Sequence, residues 1–221
     1  MRIAAIVPAA GRGERLGHPI PKALVQVGGL TLVVHAVAGL FRVGVEVVVV
    51  AAPPDAIEEV RRRVPRAVVG PGGADRRESV RLALEAIPPD FDAVLVHDAA
   101  RPFAPDAVGQ RVIAALQAGA DAVIPVVPLV DTVKRVDGYG VVTETLDRSE
   151  LRAVQTPQGF RRDVLAAAHA AERTHDVTDD AALVEAMGIK VQTVAGDERA
   201  FKVTTSWDLA VAESLWRSGS Q

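Results

Sequence analysis

Short apolar runs alternate with helix-like patterns along the chain, and this alternation restricts the possible folds more than any other feature. The run VEVVVVAA at residues 45–52 is continuous and mostly β-branched, which is typical of a strand buried on both faces. Predicted strands occupy residues 3–7, 45–51, 67–69, 93–97 and 122–127. Predicted helices occupy residues 32–41, 55–64, 77–87, 105–118, 162–173, 180–187 and 206–216. We therefore predict a Rossmann-like α/β fold, with a mostly parallel sheet covered by helices on both faces.

Composition excludes several classes of protein. The chain has 221 residues, enough for a substantial core, and we expect one domain over residues 1–221. There is no cysteine, which excludes disulfides, zinc–thiolate sites and thiol nucleophiles. The formal net charge of −3 argues against a general nucleic-acid-binding protein. No apolar run approaches the roughly 20 residues of a membrane helix, and the N-terminus lacks a signal-peptide core. We expect a cytoplasmic protein that binds neither nucleic acid nor membrane.

The stretch PLVDTVKRVDGYGVVTETLD at residues 128–147 interrupts the alternation. Two β-like runs flank DGYG, and Asp-Gly between such runs is a strong hairpin signal. The hairpin could be an edge of the main sheet or a projecting arm. It carries six apolar side chains: Val130, Val133, Val136, Val141, Val142 and Leu146. Because an isolated hairpin is marginally stable in water, these side chains need a surface, and we predict an arm that joins two chains into a homodimer.

The stretch VPAAGRGERLGHPIPK at residues 7–22 combines an apolar strand, a glycine-rich turn and a lysine. Gly11 and Gly13 allow a tight turn whose N–H groups can hold an anion, and Arg15 and Lys22 add two positive charges. The spacing fits neither the P-loop nor the dinucleotide-binding fingerprint. An ordinary turn with solvated charges is the alternative, but the two cations favour a phosphate site.

The stretch VLVHDAARP at residues 94–102 ends a predicted strand with polar side chains at the ligand edge of the sheet. The carboxylate of Asp98 can hold a hydroxyl group or a water bound to Mg²⁺, and Arg101 can bind a phosphate with two N–H groups. The alternative for Asp98 is a turn cap. We expect His97 to be a packed residue rather than a base.

The stretch GPGGADRRESV at residues 70–80 places two glycines before a predicted helix. The glycines, Gly72 and Gly73, bring main chain close to another group, and Ser79 lies in the first turns of the helix. Main-chain amides and carbonyls here could recognise the edge of a base. A flexible turn before a capped helix is the alternative.

Two further stretches carry weaker signals. In FKVTTSWDL at residues 201–209, we predict a short strand that carries Lys202, followed by a helix capped by Thr205 or the next serine. In QTPQGFRRD at residues 155–163, Arg162 is the second of two arginines where a helix begins. Cations at a helix N-terminus oppose the helix dipole, which favours an anionic partner.

Seven motifs occur in order across nearly the whole chain: PAAGRGERLG…PK, GG…R…SV, HDAARP, TLDR, TPQ.F, TDD and KVTT..DL. As a set they resemble the 2-C-methyl-D-erythritol 4-phosphate cytidylyltransferase family. The resemblance implies a nucleotidyltransferase type of fold and a homodimer. It also implies transfer of CMP from CTP to 2-C-methyl-D-erythritol 4-phosphate, with release of pyrophosphate, in the non-mevalonate pathway of isoprenoid biosynthesis.

The same resemblance implies roles for individual residues. Arg15 and Lys22 would stabilise the transition state within the loop that contains Gly11 and Gly13. The cytidine would be contacted, largely through main chain, by Ala9, Ala10, Gly73 and Ser79. The methylerythritol phosphate would be bound by Asp98, Arg101, Thr145, Thr178, Arg162 and Lys202, with Thr145 and Arg162 supplied by a second subunit. Mg²⁺ would be carried mainly by the triphosphate, with Asp98 able to reach it through water.

Two positions depart from the family pattern, and two other functions stay open. Ala23 follows the loop lysine where the family often has glutamine, and Ala74 follows the double glycine where an acid is common, with Asp75 one place later. One alternative function is another cytidylyltransferase, for example one that acts on ribitol 5-phosphate. The other is a non-catalytic nucleotide-binding regulator, which would not need Arg15, Lys22 and Lys202 together.

Overall fold

A mixed sheet of eight strands forms the centre of the computed structural model, which describes residues 1–11, 16, 20–171 and 179–219. The strands are β1 Ile3–Pro8, β2 Gln26–Val27, β3 Leu30–Thr31, β4 Val47–Ala52, β5 Val68–Pro71, β6 Ala93–Val96, β7 Ala122–Pro128, β8 Lys134–Val136, β9 Val142–Thr145, β10 Arg152–Val154, β11 Gln158–Arg161 and β12 Val191–Ala195. The helices are α1 Leu32–Arg42, α2 Ile57–Arg63, α3 Arg76–Glu85, α4 Asp106–Gln117, α5 Arg162–Ala170, α6 Asp180–Glu185 and α7 Ser206–Arg217.

The sheet has the order β12–β7–β11–β6–β1–β4–β5, and β10 also pairs with β7. Strands β5, β4, β1 and β6 are parallel, so their carboxyl ends meet at one edge of the sheet. Strand β11 runs antiparallel to both β6 and β7. The prediction of a mostly parallel α/β sheet covered by helices is confirmed, and the antiparallel β11 was not predicted.

Two apolar layers cover the two faces of the sheet. In β1, Ala5 and Val7 pack into the layer that also receives α1, α2 and α4. Ala4 and Ile6 point the other way, into the layer formed with α3, α5 and α6. The same alternation in β4 buries consecutive valines on both faces, as the run VEVVVVAA predicts.

The segment at residues 201–204 is not a strand, so the predicted strand around Lys202 is wrong. It is instead held by a hydrogen bond from the N–H of Val203 to the carbonyl of Ala100, at 2.8 Å. Helix α7 follows at once. The Oγ of Thr205 accepts from the N–H of Asp208, and Asp208 accepts in return from the Thr205 N–H, which is a complete capping box.

The hairpin predicted at residues 128–147 contains β8 and β9, which form a two-stranded sheet of their own. Lys134 pairs with Thr145 in its register. The strands β8 and β9 are exposed along their whole length, and the side chain of Tyr139 at the tip is 94% exposed. Every helix among the described residues is too short or too polar to cross a lipid bilayer.

Candidate active site

A cavity of about 300 Å³ opens at the carboxyl edge of the parallel strands. It lies where sheets of this kind commonly bind ligands. Eight of the predicted site residues line it: Ala9, Ala10, Gly11, Lys22, Gly73, Ser79, Asp98 and Lys202. They come from four separate parts of the chain, which the strand order brings to one place.

One wall of the cavity is main chain with very small side chains. The N–H of Ala9 donates to Ala51 O at 2.8 Å, and the N–H of Gly72 donates to Ala52 O at 2.7 Å. These bonds draw the two loops so close that a Cβ at Gly72 would lie 2.4 Å from the Cβ of Ala10. No larger residue fits at Gly72 without moving the wall, which explains the glycine in physical terms.

The hydroxyl of Ser79 holds the main chain of this wall through two hydrogen bonds. Ser79 is buried, and its Oγ accepts from the N–H of Gly73 at 3.0 Å and donates to Asp75 O at 2.7 Å. The Asp75 carboxylate caps α3 by accepting from the N–H of Glu78, at 2.8 Å. Asp75 therefore stabilises the helix. Ala74, where the family commonly has an acid, places only a methyl group at the cavity wall.

The opposite side of the cavity is a charge cluster around Asp98. This carboxylate is almost buried and lies 2.8 Å from Lys202 Nζ, 3.7 Å from Arg76 Nε and 3.8 Å from Arg101 Nε. Burial raises the pKa of Asp98, but the charges of Lys202, Arg76 and Arg101 outweigh it and lower the pKa to about 2. Asp98 is therefore ionised at neutral pH.

Arg101 binds main chain as well as Asp98. Its NH1 donates to Ala200 O at 2.6 Å and its NH2 donates to Val154 O at 3.2 Å. The side chain thus ties β10 and the segment before Lys202 to the end of β6. Within the described residues, its Nε is buried without a hydrogen-bond partner.

His97 is a packed residue, as expected. Thr156 Oγ1 accepts from the N–H of Asp98 at 3.0 Å and is hydrogen-bonded to His97 Nδ1, which lies 2.8 Å away. Burial lowers the pKa of His97 to about 4, and the imidazole is neutral at pH 7. It serves to orient the main chain at Asp98.

Several predicted residues are not at the cavity. Thr145 lies exposed on β9, where its Oγ1 accepts from Lys134 Nζ at 2.5 Å. Arg162 begins α5, next to the pairing of Arg161 with Ala93, and so lies at the opposite edge of the sheet from Asp98. Its guanidinium contacts Ile87 O at 3.5 Å. The predicted site residues Gly13, Arg15 and Thr178 lie outside the described residues.

Arg76 is the cavity residue that the sequence analysis missed. It lines the cavity from the first turn of α3 and contacts both Asp98 and the buried Asp180. A signal was present, since Arg76 is a cation at a helix N-terminus, separated from the double glycine only by Ala74 and Asp75. Arg162 has the same pattern, but the structure places it at the opposite edge of the sheet from Asp98.

Comparison with known proteins adds independent evidence. The family model for IspD, 2-C-methyl-D-erythritol 4-phosphate cytidylyltransferase, matches residues 3–218. The chain is 56% identical over 216 residues to the 2-C-methyl-D-erythritol 4-phosphate cytidylyltransferase of Frankia casuarinae, covering 97% of this chain and 81% of that protein. It is 53% identical over 224 residues to the protein of that name from Saccharopolyspora erythraea, covering 97% and 99%.

Solved structures agree. The crystal structure of 2-C-methyl-D-erythritol 4-phosphate cytidylyltransferase from Thermus thermophilus has a TM-score of 0.83 and 40% identity, covering 98% of this chain and 100% of that one. The 4-diphosphocytidyl-2C-methyl-D-erythritol synthase from Anaerococcus prevotii has a TM-score of 0.85 and 29% identity, covering 98% of both chains.

Proposed function

The chain belongs to the 2-C-methyl-D-erythritol 4-phosphate cytidylyltransferase family, and we propose that it transfers CMP from CTP to 2-C-methyl-D-erythritol 4-phosphate. The products are 4-diphosphocytidyl-2-C-methyl-D-erythritol and pyrophosphate, in the supply of isoprenoid precursors. The observation that carries the proposal is the cavity itself. Its main-chain wall suits a small base, and Lys22 and Lys202 lie with the ionised Asp98 in the same space.

The reaction needs no general base. A phosphate oxygen of the acceptor attacks the α-phosphorus of CTP, the bond from that phosphorus to the bridging oxygen breaks, and the electron pair leaves with pyrophosphate. A phosphate monoester is mostly dianionic at pH 7, so the nucleophile is already deprotonated. This agrees with the state of His97, which is neutral, buried and bonded to Thr156.

Repulsion between two anionic substrates is then the main barrier, and cations are the means of lowering it. We assign this role to Lys22, which lines the cavity, and to Arg15. The main chain at Ala9, Ala10, Gly11 and Gly73 would contact the nucleotide. Ser79 would act by holding Gly73.

The acceptor would occupy the side of the cavity with Asp98 and Lys202. The carboxylate can accept hydrogen bonds from the acceptor's hydroxyl groups, and Lys202 can bind its phosphate. Arg101 adds positive charge beside them while holding Ala200 and Val154. Thr178 is also proposed to contact the acceptor.

Mg²⁺ would arrive with the triphosphate. Within the described residues, no three His, Asp or Glu side chains are grouped so that they could hold a metal ion. Mg²⁺ commonly keeps several waters and binds substrate phosphates with one or two carboxylates. Of the two acids that line the cavity, Asp75 caps α3, which leaves Asp98 as the side chain that fits such an ion through water. The ion would supply positive charge to the phosphates.

We also propose that the protein is a homodimer through the hairpin, with Thr145 lent to the neighbouring site. The support is the exposure of apolar side chains on an element that has no core of its own, since Val130 is 79% exposed and Val141 is 59% exposed. Arg162 lies at the opposite edge of the sheet from Asp98 and contacts Ile87 O, so the shared-site proposal depends on Thr145.

The direct test is release of pyrophosphate from CTP, measured with each acceptor in turn. We expect release with 2-C-methyl-D-erythritol 4-phosphate and almost none with ribitol 5-phosphate. Preference for ribitol 5-phosphate would show a different cytidylyltransferase. CTP binding without release for either acceptor would favour a non-catalytic regulator and contradict the proposal.

A further inference from the structure

The cation that we assign to the acceptor phosphate is already paired in this structure. Lys202 Nζ lies 2.8 Å from Asp98 Oδ2, and the Lys202 side chain is 43% exposed. To bind a phosphate, Lys202 has to turn away from Asp98 or contact the phosphate and the Asp98 carboxylate at the same time. Asp98 is 11% exposed, and an almost buried carboxylate that loses its counter-charge is strongly destabilised.

Arg76 is placed to compensate for that loss. Its Nε lies 3.7 Å from Asp98 Oδ1, the oxygen that Lys202 does not contact. Its NH1 donates to Asp180 Oδ2 at 2.6 Å, and Asp180 is completely buried. The other oxygen of Asp180 bonds His169 Nε2 at 2.9 Å.

This arrangement fixes Arg76 from the side of Asp180, whereas the side chain of Lys202 contacts Asp98 among the described residues. Burial raises the pKa of Asp180, but the hydrogen bond from His169 and the charge of Arg76 outweigh it, so Asp180 stays ionised. A planar guanidinium can face two carboxylates at once, which an ammonium group cannot do equally well. Arg76 therefore remains beside Asp98 whichever way Lys202 turns.

We propose that Arg76 is a positioning residue, a fixed counter-charge that holds Asp98 in place when Lys202 turns to the acceptor phosphate. The inference rests on the proposed function and deepens it. Arg101 also faces Asp98, but its NH1 and NH2 are bound to main-chain carbonyls. Arg76 thus links the acceptor side of the cavity to the core between α3 and α6.

The chain offers a matched control in the next residue. Arg77 lies on the same turn of α3, but its NH2 donates to His169 O at 3.3 Å and Ala171 O at 2.9 Å. Arg77 therefore ties α3 to the end of α5 and is not among the cavity residues. Arg76→Gln and Arg77→Gln both remove one cation from α3, and only the first removes a cation that faces Asp98.

The test measures KM for each substrate and kcat in the two variants, with thermal unfolding in parallel. For Arg76→Gln we expect KM for 2-C-methyl-D-erythritol 4-phosphate to rise at least about tenfold, with KM for CTP changed less than about twofold. Arg76→Lys keeps the charge without the two-sided contact, so its acceptor KM should lie between wild type and Arg76→Gln. Arg77→Gln should lower the unfolding temperature and leave both KM values near wild type.

An equal rise in both KM values, or a change in thermal stability alone, would overturn the proposal. If Arg76→Gln does not fold, an unchanged acceptor KM in Arg76→Lys would overturn it instead. Lack of transfer by the wild-type protein would contradict the proposed function, whereas a normal wild type beside an unaltered Arg76→Gln would contradict only the role of Arg76.

Discussion

Lys202 Nζ and Asp98 Oδ2 lie 2.8 Å apart, although Asp98 follows β6 and Lys202 comes just before α7. The pair joins the central sheet to the last helix. It also places a cation and an acceptor of hydrogen bonds in one cavity, which is what a polyol phosphate requires of its site.

Removing this cation should impair the acceptor half of the reaction. We expect Lys202→Ala to lower kcat/KM for 2-C-methyl-D-erythritol 4-phosphate by about 10²–10³, because one preorganised charge is lost. CTP affinity, measured by calorimetry, should change little. Lys190→Ala is the control, since Lys190 is exposed and lies away from the cavity lining. Equal effects of the two substitutions would show that kcat/KM depends on the net charge of the protein and not on the position of Lys202.

The loop cations should act on the rate more than on binding. Lys22→Ala and Arg15→Ala are each expected to reduce kcat by about 10²–10³, since their charges would be used most fully as negative charge develops. The dissociation constant for CTP should rise far less. Single-turnover kinetics at saturating CTP separate the two quantities. A near-normal kcat in either variant would rule out its proposed role.

The main-chain wall should not tolerate a methyl group at Gly73. A Cβ there would lie 2.5 Å from the Cβ of Glu78, so the loop has to shift away from Ser79. We expect Gly73→Ala to raise KM for CTP about tenfold or more, with a smaller change for the acceptor. Gly70→Ala is the matched control because a Cβ at Gly70 meets nothing within 4 Å. If both variants bind CTP normally, the base does not lie against this wall.

Charge on the hairpin should dissociate the proposed dimer. Val136 is 56% exposed on β8, and Val136→Glu would place a carboxylate in an apolar interface. We expect sedimentation to show mostly monomer for this variant. Val68→Glu provides the comparison, since Val68 is 50% exposed on the edge strand β5. A dimer that survives Val136→Glu unchanged does not use this surface.

A shared site would also allow complementation between two impaired chains. Lys22→Ala damages the nucleotide loop, and Thr145→Ala removes the residue that we propose is lent to the neighbour. Mixed after subunit exchange, the two should recover activity, because some sites then receive both intact contributions. An inactive mixture with exchange confirmed would mean that Thr145 serves no neighbouring site.

Stability should fall in mildly acidic solution because of His97. Its pKa is about 4 in the folded protein and 6.5 as the ordinary value, so the unfolded chain binds more protons between these limits. The contribution of neutral His97 to the free energy of unfolding is complete above pH 6.5 and is lost as the pH falls towards 4. It is on the order of 3 kcal/mol. Urea unfolding at several pH values measures it. His97→Gln should show a flatter profile than wild type in this window.

Much of the sheet was predictable because its central strands are buried on both faces. The valines of β4 form a continuous apolar run, which is distinctive even in a single sequence. Strands β10 and β11 are short, and β11 contains a glycine, so periodicity is too weak to reveal them. The extended stretch at Lys202 has strand-like residues, but its N–H and carbonyl groups bond to loops and a helix cap.

The site was predictable only in part, for a physical reason. Motifs next to strand ends, such as the one with Asp98, lead to the ligand edge through the geometry of parallel sheets. Arg76 faces Asp98 and is held by Asp180. Thr156, just before the antiparallel strand β11, accepts from the N–H of Asp98. Those contacts join residues distant in sequence, and no local pattern reports them. Arg162 is the opposite case. Its local pattern favours an anionic partner, but the residue lies at the edge of the sheet opposite to Asp98.

The late position of Lys202 has a consequence for biosynthesis. Every described strand ends by Ala195, so the ribosome releases the whole sheet, including Asp98, before it releases this lysine. Asp98 and the strands around it therefore leave the ribosome before the nearest counter-charge of Asp98 does. Docking of Val203 on Ala100 then brings Lys202 into place. A proteolytic cut between Ala195 and Lys202 would leave every described strand in one fragment and separate Lys202 from Asp98.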